Sequence, residues 1–103
     1  MENNTTNPRK EYPVYSGVLK YFPDALLEVS NVSLIGNAQH KNGEELRWDR
    51  DKSSDELDAM MRHLIDHAKG DLYDECGTLH IAKCGWRILA YIQKHIELQI
   101  KNK

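Results

Sequence analysis

The sequence predicts an all-α fold, a three-helix unit with an extended N-terminal arm, whose long third helix packs in an oligomer. Three observations carry this. Apolar residues recur at helical spacing in three stretches, the first two of these open on helix-start signals, and the third is apolar on nearly every side. With 103 residues, 40% of them hydrophobic and 29% charged, the chain has room for one domain around one core.

Residues 1–11 are polar, include Pro8 and lack an apolar period, which predicts a disordered tail. Residues 12–22 alternate aromatic and aliphatic side chains but are interrupted by Pro13 and Gly17. That pattern predicts an extended arm, either an edge strand or an interface arm. Pro23 and Asp24 open the first helix, because proline is tolerated at the first helical position and an acid there suits the dipole. Ala25, Leu26, Val29, Val32 and Ile35 carry it to about Gln39, past a weak point at Gly36-Asn37. Residues 40–52 form a polar loop anchored by Leu46 and Trp48. Ser53 with Glu56 three residues on makes a capping box for the second helix. Leu57, Met60, Met61, Leu64, Ile65 and Ala68 form its apolar stripe, and Lys69-Gly70 ends it. Residues 71–77 are a short acidic turn. The third helix spans about 78–100, with Ile81, Trp86, Ile88, Ala90, Ile92 and Ile96 on different sides. Two shorter elements cannot cover such a helix, so a homo-oligomer is expected.

The net charge of −2 and pI near 6.2 argue against non-specific nucleic-acid binding. Lys83, Arg87, Lys94 and Glu97 interrupt the most apolar stretch, well short of the roughly 20 residues a membrane span needs. The N-terminus lacks the basic start and apolar core of a secretory signal, so a cytoplasmic protein with reduced Cys76 and Cys84 is expected.

His80, Lys83, Arg87 and Lys94 share one face of the third helix. Cations on a covered helix require an anionic partner, either a phosphate or an acid from another helix. Arg62 and His63 on the second helix are further candidates for phosphate oxygens. His63, Asp66 and His67 lie on adjacent turns and suit a divalent ion, or else form a solvated face. Asn37, Gln39 and His40 beside two glycines offer groups for a base edge or ribose, and Trp48 a stacking surface; the alternative is a well-made turn with an apolar anchor. Neither cysteine has a histidine at a telling spacing, so no catalytic nucleophile is assigned.

Read together, these residues resemble a phage protein family, the dATP/dGTP diphosphohydrolase (N-terminal) domain. The matching stretches are Tyr12-Pro13-Val14-Tyr15-Ser16-Gly17-Val18, Phe22-Pro23-Asp24-Ala25-Leu26-Leu27-Glu28-Val29, Gly36-Asn37-Ala38-Gln39-His40-Lys41-Asn42-Gly43, Leu46-Arg47-Trp48, Lys52-Ser53, Arg62-His63-Leu64 and His80-Ile81-Ala82-Lys83-Cys84-Gly85-Trp86-Arg87. The resemblance implies that residues 12–100 are a single helical nucleotide-handling domain of viral origin, acting in the host cytoplasm. It also implies a loose similarity to MazG-type nucleoside triphosphate pyrophosphohydrolases, which hold magnesium with paired acids on two helices. This chain departs from that pattern, offering Asp24 and Glu28 on the first helix, Asp55 and Asp58 on the second, and His80, Lys83 and Arg87 on the third. Two functions follow as expectations. One is a Mg2+-dependent nucleoside triphosphate diphosphohydrolase, with Glu28, Asp55 and Asp58 or Asp66 on the metal and Lys83 and Arg87 on the phosphates. The other is a non-catalytic sponge that sequesters a host signalling nucleotide in anti-defence, using the same cations with Asn37, His40 and Trp48.

Overall fold

The structure, a computed structural model, describes residues 8–41 and 45–101, and for residues 38–41 the backbone only. Three α-helices carry the fold: α1 (Pro23–Lys41), α2 (Glu56–Ala68) and α3 (His80–Lys101). A 3-10 turn (Pro8–Glu11) and a π-type turn (Tyr15–Leu19) precede α1, and another 3-10 turn (Arg50–Lys52) precedes α2. Among the described residues there is no sheet, only one antiparallel bridge between Tyr73 and Leu79 that closes the α2–α3 turn. No described helix is long and apolar enough to cross a membrane.

The predicted extended arm is instead helical. Gly17 N–H donates to the Pro13 carbonyl at 2.7 Å, Lys20 N–H to Tyr15 at 2.8 Å, and Phe22 N–H to Val18 at 3.0 Å. Pro13 stands just ahead of the first turn, where a missing N–H costs nothing and a fixed φ already suits a helix. The proline and glycine that suggested a broken strand thus begin and accommodate a turn. Pro8–Glu11 lies inside the predicted tail, and residues 1–7 fall outside the described residues.

Helix α1 starts at Pro23 as the sequence predicts and continues through Gly36 to Lys41. Helix α2 starts at Glu56, but the expected capping box does not form. Ser53 Oγ donates to Asp55 Oδ1 at 2.9 Å, and the Glu56 carboxylate turns away to two cations of α3. The predicted C-terminal stop does form. Gly70 takes φ +92°, its N–H donates to the His67 carbonyl, and Asp71 N–H reaches back to Asp66, each at 3.0 Å. This pair of bonds satisfies the last carbonyls of α2.

Helix α3 lies at the centre, packed on both α1 and α2. Among the described residues the buried apolar side chains are small, namely Ala59, Ala82, Cys84 and Ala90, so the helices approach closely. Gly85 marks the closest approach: a Cβ there would stand 3.1 Å from Val29 Cγ2. Trp86 Nε1–H donates to Ser33 Oγ at 2.7 Å and ties α3 to α1. The other face of α3, with Ile81, Leu89, Ile92 and Ile96, remains exposed.

Candidate functional site

A cavity of ≈ 590 Å³ opens where α1, the segment after it, the start of α2 and the middle of α3 meet. Val32 and Ile35 from α1, Trp48 from the segment and Trp86 from α3 supply its apolar walls. Arg47, Lys52, Lys83 and Arg87 bring positive charge to the wall, and Asp49 and Glu56 bring negative charge. Four cations against two carboxylates leave a surplus of two positive charges, in a chain whose net charge is −2. Such a cavity favours an anion.

Glu56 organises the cations. It is 4% exposed, and it accepts from Arg87 Nη1 at 2.7 Å and from Lys94 Nζ at 2.6 Å. Ser53 completes the clasp, its hydroxyl accepting from Arg87 at 3.0 Å and its carbonyl from Lys94 at 2.8 Å. Burial pushes the Glu56 carboxyl up, but the Lys94 and Arg87 hydrogen bonds and charges outweigh it and hold the pKa below the ordinary carboxylate range. Trp48 is wedged beside this group, edge-on to Trp86 with ring centroids 5.8 Å apart, and the Arg50 guanidinium stands 4.3 Å from its centroid. Arg50 is itself anchored by Glu97 of α3.

Lys83 pairs directly with Asp74 in the α2–α3 turn. The Lys83 hydrogen bond, aided by the Glu75 backbone N–H, holds the Asp74 carboxyl low. His63 lines the cavity and lies with Nδ1 2.9 Å from Nδ1 of the buried His80. Burial, then the charge of Lys83, lowers the His63 pKa, so the imidazole stays neutral near pH 7.

The residues singled out from sequence therefore separate into groups. Lys83, Arg87, His63, Asn37 and Trp48 line the cavity. His80 stands behind His63, and Arg62 lies outside the wall, paired with Asp55 at 3.1 Å on the surface. The side chains of Gln39 and His40 lie outside the described residues. Glu28, Asp55 and Asp58 are exposed, and among the described residues no three-ligand cluster includes any of them. Asp66 does join one, with Asp71 and His80, and His63, Asp74 and His80 form another. Among the described residues Glu28, Asp55 and Asp58 are thus not gathered into one cluster, and the two clusters found each include an imidazole. Sequence reasoning missed Glu56, Asp71 and Asp74. For Glu56 a signal existed: α2 and α3 form an antiparallel hairpin, so the first turn of α2 faces the turns of α3 that carry Arg87 and Lys94.

Comparison with known proteins places one family on this chain. The family described as dATP/dGTP diphosphohydrolase, N-terminal, matches residues 3–103. No curated protein and no solved structure matches it.

Proposed function

Since the chain belongs to the dATP/dGTP diphosphohydrolase N-terminal family, we propose that the α1–α3 cavity binds a purine deoxynucleoside triphosphate and handles it as a diphosphohydrolase would. The observation that carries this reading is the charge surplus in a ≈ 590 Å³ cavity walled by two indoles. Polyphosphate suits Lys83, Arg87, Arg47 and Lys52 of the wall, where charge-assisted bonds form in partial shelter from water. The base suits Trp48 and Asn37, which offer a ring face or edge and an amide. His63, neutral and within the wall, is placed to accept or donate a proton there.

Glu28, Asp55, Asp58 and Asp66 do not line the cavity, and no step is routed through magnesium. A second reading rests on the same wall: cations beside an amide and two indoles suit holding a nucleotide, so that the ligand is retained intact and the protein acts as a sponge for a signalling nucleotide. Both readings take the assembly to be a homo-oligomer, supported by the exposed apolar face of α3.

Incubation of the full chain with dATP and dGTP, followed by denaturation and mass spectrometry, separates the readings. Released pyrophosphate and monophosphate support hydrolysis, and intact ligand recovered from the protein supports sequestration. Absence of binding to either nucleotide in calorimetry would overturn the hydrolase reading, and absence of binding across a panel of signalling nucleotides would overturn the sponge.

A further inference from the structure

His80 opens α3 with a side chain only 6% exposed, and its two ring nitrogens meet different surroundings. Nδ1 lies against His63 Nδ1. Nε2 is buried without a hydrogen-bond partner, and it faces Asp66 Oδ2 at 3.8 Å and Asp71 Oδ2 at 3.7 Å. Leaving a buried imidazole nitrogen in this condition is costly. If the Nδ1 proton is donated to His63, Nε2 presents a bare lone pair to two carboxylates. If Nε2 carries a proton, its N–H spans distances too long for a hydrogen bond. A cation among the three donors removes the conflict.

We propose that Asp66, Asp71 and His80 form a site for a divalent first-row transition ion of the Zn2+ and Co2+ class, with His80 Nε2 as the nitrogen ligand. One donor atom from each lies within 4.8 Å of the others. Around a tetrahedral ion with bonds of about 2.0–2.1 Å, neighbouring donors stand roughly 3.3–3.4 Å apart, so the two gaps from His80 Nε2 to the carboxylates, 3.8 and 3.7 Å, close by a few tenths of an ångström. The backbone is already fixed for it. Asp71 N–H is bonded to the Asp66 carbonyl at 3.0 Å, and His80 N–H to the Leu72 carbonyl at 2.9 Å. His63 then accepts the Nδ1–H of His80, the kind of contact that sets the tautomer and orientation of a metal-bound imidazole. An imidazole with two carboxylates suits zinc or cobalt better than magnesium, which prefers oxygen donors and water. The neighbouring cluster of His63, Asp74 and His80 is a poorer site, because Lys83 holds Asp74 and the two Nδ1 atoms hold each other. None of Asp66, Asp71 and His80 lines the cavity, and His63, which does, stands between the two sites through its contact with His80 Nδ1.

The test titrates metal-stripped full-length protein with Co2+ alone, followed by visible absorption and by thermal melting. One equivalent is expected to bind, raise the melting temperature and be displaced by Zn2+ but not by excess Mg2+. Asp71 is 68% exposed, so Asp71→Asn leaves the metal-free melting temperature unchanged while weakening Co2+ binding by about tenfold or more. Asp66→Asn does the same, and Asp51→Asn leaves Co2+ binding as it was. Equal Co2+ affinity in wild type and Asp71→Asn, no binding at all, or a thiolate charge-transfer band marking cysteine ligation would each overturn the assignment.

Discussion

Replacing Glu56 with glutamine keeps the side-chain volume and removes one charge from the centre of the Arg87–Glu56–Lys94 clasp. Two charge-assisted hydrogen bonds, at 2.7 and 2.6 Å, are lost or weakened together. A hydrogen bond to a charged group contributes about 1.5–3 kcal/mol, and removing one partner of a buried pair costs about 3–5 kcal/mol. Arg87 and Lys94 are each 28% exposed and can turn part of their charge toward water, so the expected loss lies at the low end, about 2–3 kcal/mol. Urea unfolding at pH 7 measures it. The pH dependence gives a second check. Because the folded-state pKa of Glu56 lies below the ordinary 4.5, the unfolded chain binds the proton more readily. The contribution is therefore complete above about pH 5 and is lost as the pH falls through 4.5 toward the lowered folded value. The difference between wild type and Glu56→Gln should shrink over that window. A loss under about 0.5 kcal/mol, the range of ordinary surface substitutions, or a difference that holds constant to pH 3, would refute the clasp.

Three further substitutions probe other parts of the structure. Arg87→Lys retains a cation for Glu56 but loses the planar fork, so nucleotide affinity measured by calorimetry should fall by about tenfold while the melting temperature changes little. Gly70→Ala forces a Cβ into φ +92° at the end of α2 and should lower stability by about 1 kcal/mol in urea unfolding. Ile92→Glu places a charge on the bare face of α3, where Ile92 is 46% exposed; light scattering should show a smaller assembly than wild type, and a monomer mass for the wild type at micromolar concentration would remove the case for a homo-oligomer.

The three helices were legible because their signals are local. Pro23, the Lys69-Gly70 stop and the stripe from Leu57 to Ala68 each act within a few turns. The arm was misread for a related reason: proline and glycine are ambiguous punctuation, and only the hydrogen bonds from Gly17 and Lys20 distinguish a helical turn from a broken strand. The capping box failed for a different cause. Its pattern is local, but Glu56 responds to Arg87 and Lys94, 31 and 38 residues away, and a charge-assisted bond in a buried setting outcompetes a cap on the surface. The site shows the same division. The cationic face of α3 could be read from spacing, whereas the acids that answer it, Glu56 and Asp74, come from elements whose relative placement depends on how the hairpin packs.

The sequence posed the stripe of Lys83, Arg87 and Lys94 as a choice between structural pairs and phosphate ligands; the structure shows the pairs, and under the proposed function they leave room for the ligand. Lys94 and Arg87 share one carboxylate, so the clasp retains a net positive charge after pairing. Arg87 uses Nη1 for both Glu56 and Ser53, and a guanidinium carries five N–H donors in a fixed plane. Its remaining donors belong to a residue that lines the cavity and whose position Glu56 has already set. An incoming phosphate would then meet a pre-oriented fork without bearing the entropy of ordering a free arginine, which is the part of binding that preorganisation supplies. In the function proposed above, structural pairing and ligand binding would be two uses of one residue, and the loss of stability expected for Glu56→Gln would accompany a role for Arg87 in affinity.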